Sequence, residues 1–292
     1  MKLIKQILNL SILTALFTPV VLFAAQPVVD KIVLVVFENV NEEDTIKQPT
    51  FKEIALHSAY FNNFYAVARP SLPNYIAITA GSTFGIKSDA KINLTQTSLV
   101  NLLDNKKLSW KVYAENYPEN KGCFLDDHSD DGLYARNHNP FISYTYVSEN
   151  PNRCKQIVNG QAHFKQDIAQ NKLPHFSMYI PNIINNGHKN GIQDAEKWLK
   201  EYLYPIMKSD AIKQENVLFI LTFDEGNKNP TDPKYIENKV YTAFYGPMIN
   251  PNVINTHYDF YNLLRTIEDI WQLGTLDRND KTATAINPVI WK

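Results

Sequence analysis

The chain has 292 residues, 44% hydrophobic and 20% charged, with a formal net charge of −1. That composition fits a globular domain with an ample core and excludes a disordered or collagen-like chain. The balanced charge, without a long basic run, excludes a nucleic-acid binder, and no internal repeat or low-complexity tract is visible.

Lys2 and Lys5 precede the apolar run L-S-I-L-T-A-L-F-T-P-V-V-L-F-A-A. This pattern predicts a signal peptide over residues 1–25, removed on export. The run is short for a membrane anchor, is interrupted by Pro19 and ends at Ala24–Ala25. No stable membrane span is therefore expected after its removal, and the mature protein is expected to be secreted or periplasmic. Export would place Cys123 and Cys154, the two cysteines of the chain, in an oxidising compartment. The polar, loop-like segment between them favours a bridge, which would close a loop of roughly thirty residues and contribute about 3 kcal/mol.

K-I-V-L-V-V-F reads as a buried strand from Lys31 to Phe37, because a near-continuous β-branched run leaves no polar face. S-L-P-N-Y-I-A-I-T-A follows as a helix with Ser71 at or near its N-terminus, since Pro70 lacks an N–H and Pro73 suits a first turn. S-L-V-N-L-L-D-N-K from Ser98 is helical and S-W-K-V-Y-A is a strand. The polar stretch from Tyr117 to Gly160 is an excursion over the sheet edge. P-H-F-S-M-Y-I from Pro174 is a strand, and I-Q-D-A-E-K-W-L-K-E-Y-L-Y-P-I-M-K is a helix with Trp198, Leu199, Tyr202, Leu203 and Ile206 on one face. Val217–Phe223 is a second buried strand, V-Y-T-A-F-Y-G from Val240 another, and the last helix is predicted to start at Thr256, with Asp259 completing a capping box. Alternating strands and helices, with no Gly/Pro/Ser-rich linker, predict one α/β domain over 26–292, a three-layer αβα sandwich around a mostly parallel sheet.

Both buried strands end in acidic pairs or near-pairs, Glu38–Asn39 and Asp224–Glu225. Ligands of open α/β sheets bind outside the carboxyl ends of the strands, so parallel neighbours would project all four side chains from one rim. Carboxylates with an amide oxygen suit one divalent cation: calcium, magnesium or manganese, or zinc if histidine helps. Ser71 at a helix N-terminus would sit where free N–H groups and the dipole favour an anion. His138 and His188 fall in loops consistent with the same rim, while Glu115 and Asn116 rank below them. His57, His128, His163 and His175 read as surface or packing residues, and His257 sits at a helix start. The glycosylation pattern Asn93-Leu94-Thr95 is treated as chance.

F-E-N, R-P-S-L-P-N-Y, Y-A-R-N-H-N-P-F, I-P-N-I-I-N-N-G-H, E-K-W-L, T-F-D-E-G and L-L-R-T-I-E-D-I-W occur in this order over nearly the whole mature chain. Together they resemble the acid phosphatase/phospholipase C phosphoesterase family of the alkaline phosphatase superfamily. The resemblance implies an alkaline-phosphatase-like fold, Ser71 as nucleophile, and Glu38, Asn39, Asp224 and Glu225 as metal ligands, Glu225 with less force because some members carry two aspartates there. It implies that His138 and His188 contact phosphate or assist the leaving group, beside Asn74 of the Pro-Asn pair in the substrate site. One departure is Asn186, where an aspartate often stands, and it bears on His188. The implied activity is a secreted metal-dependent acid phosphatase acting on a small-molecule or lipid phosphate monoester through a phosphoserine. The alternatives are a phospholipase C-type phosphodiesterase on lipid head groups and a non-catalytic phosphate-ester binder. Larger lipases of this class carry C-terminal modules, and this chain ends soon after its last helix, which tilts the expectation toward monoesters.

Overall fold

The computed structural model describes residues 28–227, 237–286 and 288–292; the expected signal peptide lies outside the described residues. Ten strands are present among them: β1 Lys31–Phe37, β2 Ala59–Phe61, β3 Phe64–Tyr65, β4 Trp110–Ala114, β5 Ile157–Asn159, β6 Phe176–Ile180, β7 Val217–Phe223, β8 Thr242–Tyr245, β9 Asn252–Ile254 and β10 Tyr258–Asp259. Eight form one sheet in the order β5-β4-β6-β1-β7-β8-β2-β9, and β3 pairs with β10 apart from it. β5, β4, β6, β1 and β7 are mutually parallel, and within the sheet only β8 runs against its neighbours. The central pair is in register from Lys31 against Val217 to Phe37 against Phe223. Apart from Lys31 at the start of β1 and Thr222 in β7, both strands are apolar because both sheet faces are covered by helices. This is the expected mostly parallel αβα sandwich.

An aromatic cluster fills the core under the carboxyl ends of β1 and β7. Phe37 and Phe223 stack there with ring centroids 5.1 Å apart, and Phe51 and Trp198 meet Phe37 edge-on at 5.3 and 5.7 Å. Each fully buried phenylalanine contributes about 2–3 kcal/mol. The cluster also makes a water-free floor for whatever follows the two strands.

The Ser71–Ala80 helix is buried along its whole length. It packs against the Phe260–Ile270 helix on one side and the 136–143 segment on the other. Its C-terminus is closed by Gly81 at φ 66, a left-handed position that glycine adopts without strain.

Two expectations about helices change. The last helix starts at Phe260, not Thr256: Tyr258–Asp259 is spent on β10, and Asp259 is the N-cap, accepting from Tyr261 and Asn262 N–H. The capping box is present but starts where the sequence reading had it end. The helix from Ile192 widens to a π turn over Leu199–Leu203 before Tyr204–Met207, just ahead of Pro205, which has no N–H to donate. The 117–160 excursion supplies the edge strand β5, and its Cys123–Cys154 bridge is formed, with Cα atoms 5.6 Å apart. No helix among the described residues is long and apolar enough to cross a membrane.

Candidate active site

Because β1 and β7 are parallel and adjacent, Glu38–Asn39 and Asp224–Glu225 emerge side by side. Asp224 N–H donates to Phe37 O at 2.9 Å, and Asn39 N–H donates to Asp224 Oδ1 at 3.1 Å, so the two strand exits are tied together. Asn39 holds φ 52, a left-handed conformation that asparagine tolerates better than most residues.

The serine reaches this rim from the other side. Ser71 is the first residue of its helix, and its Oγ donates to Glu38 Oε2 at 3.0 Å and lies 3.4 Å from Glu225 Oε1. One turn on, Tyr75 shares that helix face and donates to Glu38 Oε1 at 2.6 Å. Glu38 is thus gripped through both oxygens by residues spaced i, i+4. Asn74 does not share in this: its Oδ1 accepts from Val67 and Ala68 N–H, and its Nδ2 donates to Ala68 O and Pro70 O. Asn74, expected in the substrate site, has its amide committed to shaping the loop before Ser71 and acts there as a clamp.

The electrostatics call for a positive charge. Glu38 and Asp224 are fully buried and Glu225 nearly so. Burial pushes Glu38 up to about 8 and Asp224 well above the usual carboxylate range, and the neighbouring carboxylates add to both shifts. Glu225 is also raised by burial, against the pull of Arg69, whose Nη1 is 3.3 Å from Glu225 Oε2 and also bonds Gly226 O. Asp224 Oδ2 and Asn39 Oδ1 are buried without a hydrogen-bond partner among the described residues. Unpaired buried oxygens beside unneutralised carboxylates are what a divalent cation would satisfy, so Glu38, Asn39 and Asp224 fit such an ion, with Glu225 at the arginine-paired edge.

The histidines converge on the same carboxylate. His138 Nε2 is 3.3 Å from Glu38 Oε1, and His188 Nδ1 is 3.5 Å from Glu38 Oε2 and 2.9 Å from Asn39 Nδ2. Ligand atoms of Glu38, His138 and His188 lie within 4.8 Å of one another, a grouping that could hold a metal. The two rings differ in exposure. His188 has a side chain 46% exposed. His138 is buried against Tyr75, and burial, followed by the charge of His188, drives it down to about 3. Burial thus favours the neutral ring of His138.

Asn186 settles which nitrogen of His138 holds the proton. Its Oδ1 accepts from His188 N–H at 2.8 Å, which fixes the amide orientation because an N–H only donates. Its Nδ2 therefore faces His138 Nδ1, at 3.4 Å. Nδ1 accepts, and the proton sits on Nε2, directed at Glu38. The departure noted at Asn186 thus acts on His138 through the side chain and on His188 through its backbone.

Glu115 was underrated. Buried at the end of β4, it accepts from Tyr179 OH, Trp198 Nε1, Asn182 N–H and Asn185 Nδ2 at 2.9, 2.9, 3.0 and 2.6 Å. It pins the loop after β6 that delivers Asn186 and His188, and Gly187, at φ 96, lets that loop turn. Tyr75 was missed although its i+4 spacing from Ser71 was visible. Arg69 had only its place in R-P-S as a signal.

The profile of the Phosphoesterase family matches residues 30–274. A probable acid phosphatase of Kluyveromyces lactis is 31% identical over 88% of this chain and 61% of its own length. A phosphatidylinositol-3-phosphatase of Mycobacterium tuberculosis is 29% identical over 86% of this chain and 79% of its own. The chain spans 55–63% of the length of the fungal acid phosphatases it matches. A solved protein of the alkaline phosphatase superfamily from Vibrio parahaemolyticus superposes with a TM-score of 0.60 at 12% identity, over 88% of this chain and 70% of that one; it shares the fold.

Two predictions follow from the geometry. Between 4.5 and 8 the cation-free folded state keeps a proton on Glu38 that the unfolded chain has lost, so stability must fall as pH rises through that window. Thermal melts of chelated protein should show a lower Tm near pH 8 than near pH 5, and a bound divalent cation should remove the difference; a Tm that rises over this range without metal contradicts it. Asn186→Asp should turn Nδ1 of His138 into a donor and free the Nε2 lone pair, raising zinc affinity by about tenfold or more, as read by calorimetry; unchanged affinity contradicts the tautomer assignment.

Proposed function

The chain belongs to the phosphoesterase family, and from that premise we propose that it is a metal-dependent acid phosphatase that cleaves phosphate monoesters through a phosphoserine at Ser71. The observation that carries the reading is the Ser71 hydroxyl at a helix N-terminus, donating to a buried carboxylate between two others. A divalent cation held by Glu38, Asn39 and Asp224, with Glu225 beside them, would lower the pKa of the Ser71 hydroxyl and screen phosphoryl charge.

The chain's own groups supply the remaining steps. Ser71 Oγ already directs its proton at Glu38 Oε2. The oxygen gives its proton to Glu38 and attacks phosphorus as the P–O bond to the alcohol breaks, and the leaving oxygen takes a proton from His188, the more exposed of His138 and His188. Water then cleaves the phosphoserine, releasing phosphate and restoring the hydroxyl. His138 stays neutral and holds Glu38 from behind with its Nε2–H. The Ser71 amide at the helix mouth favours a phosphoryl oxygen.

The alcohol would occupy a cleft of about 290 Å³ with Asp127, His128, Asn137, His138 and His188 among its walls. Its charged and amide side chains can hydrogen-bond a hydroxyl-bearing alcohol, Ala135 and Ile183 add apolar surface, and a phosphoinositide monoester, the ester named for the mycobacterial relative, is compatible with both. The apolar leader over residues 1–25 and the Cys123–Cys154 bridge support export of one phosphoesterase domain over 26–292.

The test compares p-nitrophenyl phosphate with p-nitrophenyl phosphorylcholine, with and without chelator, on wild type and Ser71→Ala. Monoester turnover that needs metal and falls by at least about a thousandfold in Ser71→Ala is expected. Near-full activity of the variant removes the serine from the mechanism, and preference for the choline diester replaces the phosphatase with a phospholipase C.

A further inference from the structure

The anion-favouring mouth of the Ser71 helix already holds an anion. Leu72, the second helical residue, donates its N–H to Asp89 Oδ1 at 2.8 Å. Pro73 has no N–H, so Ser71 and Leu72 carry the outward-facing amides of this first turn, and a carboxylate occupies one of them. Asp89 is exposed and lines the same cleft as His138 and His188. Its Oδ1 is bonded to the N–H of the residue next to the reacting serine, which places it beside that serine.

A fixed carboxylate at a phosphoryl site is repulsive unless something lies between the two oxygens. A carboxylate only accepts. The partner that satisfies it is a phosphoryl oxygen that still carries its proton. We propose that Asp89 is a specificity-determining residue: anchored through Oδ1 by the Leu72 amide, it accepts through its other oxygen a hydrogen bond from a P–OH of the substrate, so that the site takes protonated phosphoryl groups and rejects tetrahedral anions lacking that proton. This rests on the phosphatase reading and narrows its substrate. The preferred species is the monoanion of a monoester, which prevails below the second phosphate ionisation near 6. Dianionic monoesters, diesters and sulfate esters offer no donor. A site built for a donor discriminates strongly against an analogue without one, because the acceptor is then left facing an anion. The surrounding charges are these: Glu38, Asp224, Glu225 and Asp127 are acidic, His128, His138 and His188 are the histidines of the cleft, Arg136 also lines it with its Nη2 turned to Ile92 O and Ile142 O, and the cations Arg69 and Lys87 line the adjoining cleft beyond Pro70.

Calorimetric binding of inorganic phosphate and of sulfate tests this without requiring turnover. The titrations use full-length mature protein loaded in turn with calcium, magnesium, manganese or zinc, at about pH 5.5. Phosphate should bind at least about tenfold more tightly than sulfate. Asp89→Asn keeps an oxygen for the Leu72 amide and offers N–H to a bare oxygen, so it should bring the two affinities to near parity. Asp89→Glu should retain the preference. The rate of p-nitrophenyl phosphate hydrolysis by Asp89→Asn should also shift toward alkaline pH, a change that a purely structural role would not produce. Equal affinities in the wild type, or an unaltered ratio in Asp89→Asn, overturn the inference while leaving a turning-over phosphatase in place. If neither anion binds and no ester is hydrolysed, the phosphatase reading fails and takes the inference with it.

Discussion

Three carboxylates and one hydroxyl meet on the floor made by Phe37 and Phe223, and two of the carboxylates are wholly out of water. Such a cluster is unfavourable by itself: burial and mutual repulsion drive Glu38 and Asp224 toward the protonated form. The rest of the site can be understood as what this constraint requires. Tyr75, His138 and Ser71 supply donors to Glu38, Arg69 neutralises the edge at Glu225, and the oxygens left over, Asn39 Oδ1 and Asp224 Oδ2, have the chemistry of cation ligands.

The architecture delivers these groups without placing any on a free loop tip. Parallel β1 and β7 fix the acidic pairs in register. A fully buried helix fixes Ser71 and Tyr75 one turn apart, and the loop after β6 is pinned from below by Glu115 and tied to β1 through Glu38 N–H donating to Asn186 O at 2.9 Å. Preorganisation of this kind keeps donors and acceptors aimed before the substrate arrives.

Much of this was legible in the sequence, for identifiable reasons. β1 and β7 were read to their ends because buried parallel strands are uninterrupted apolar runs. Their carboxyl-end acids followed from the rule that places ligands there, and Ser71 followed from the two prolines around it. What escaped was set by tertiary contact. The short strands β2, β3, β5, β9 and β10 have two or three residues each, too few for a periodic signal. Asn74 looked like a substrate contact because it stands beside the serine, and only the backbone of 67–70 shows that its amide is committed. The neutral state of His138 depends on burial, the tautomer on the orientation of Asn186, and Asp89 meets Leu72 across a loop that no local pattern announces.

The central claim is that a single divalent cation sits below Ser71 on oxygen ligands. Anomalous diffraction from crystals of the mature protein soaked in manganese tests it most directly. The account predicts one peak, touching Glu38, Asn39 Oδ1 and Asp224 Oδ2, and its loss together with activity on chelation. A peak confined to His138 and His188 away from Asp224, or full activity in protein shown to be metal-free, would contradict it.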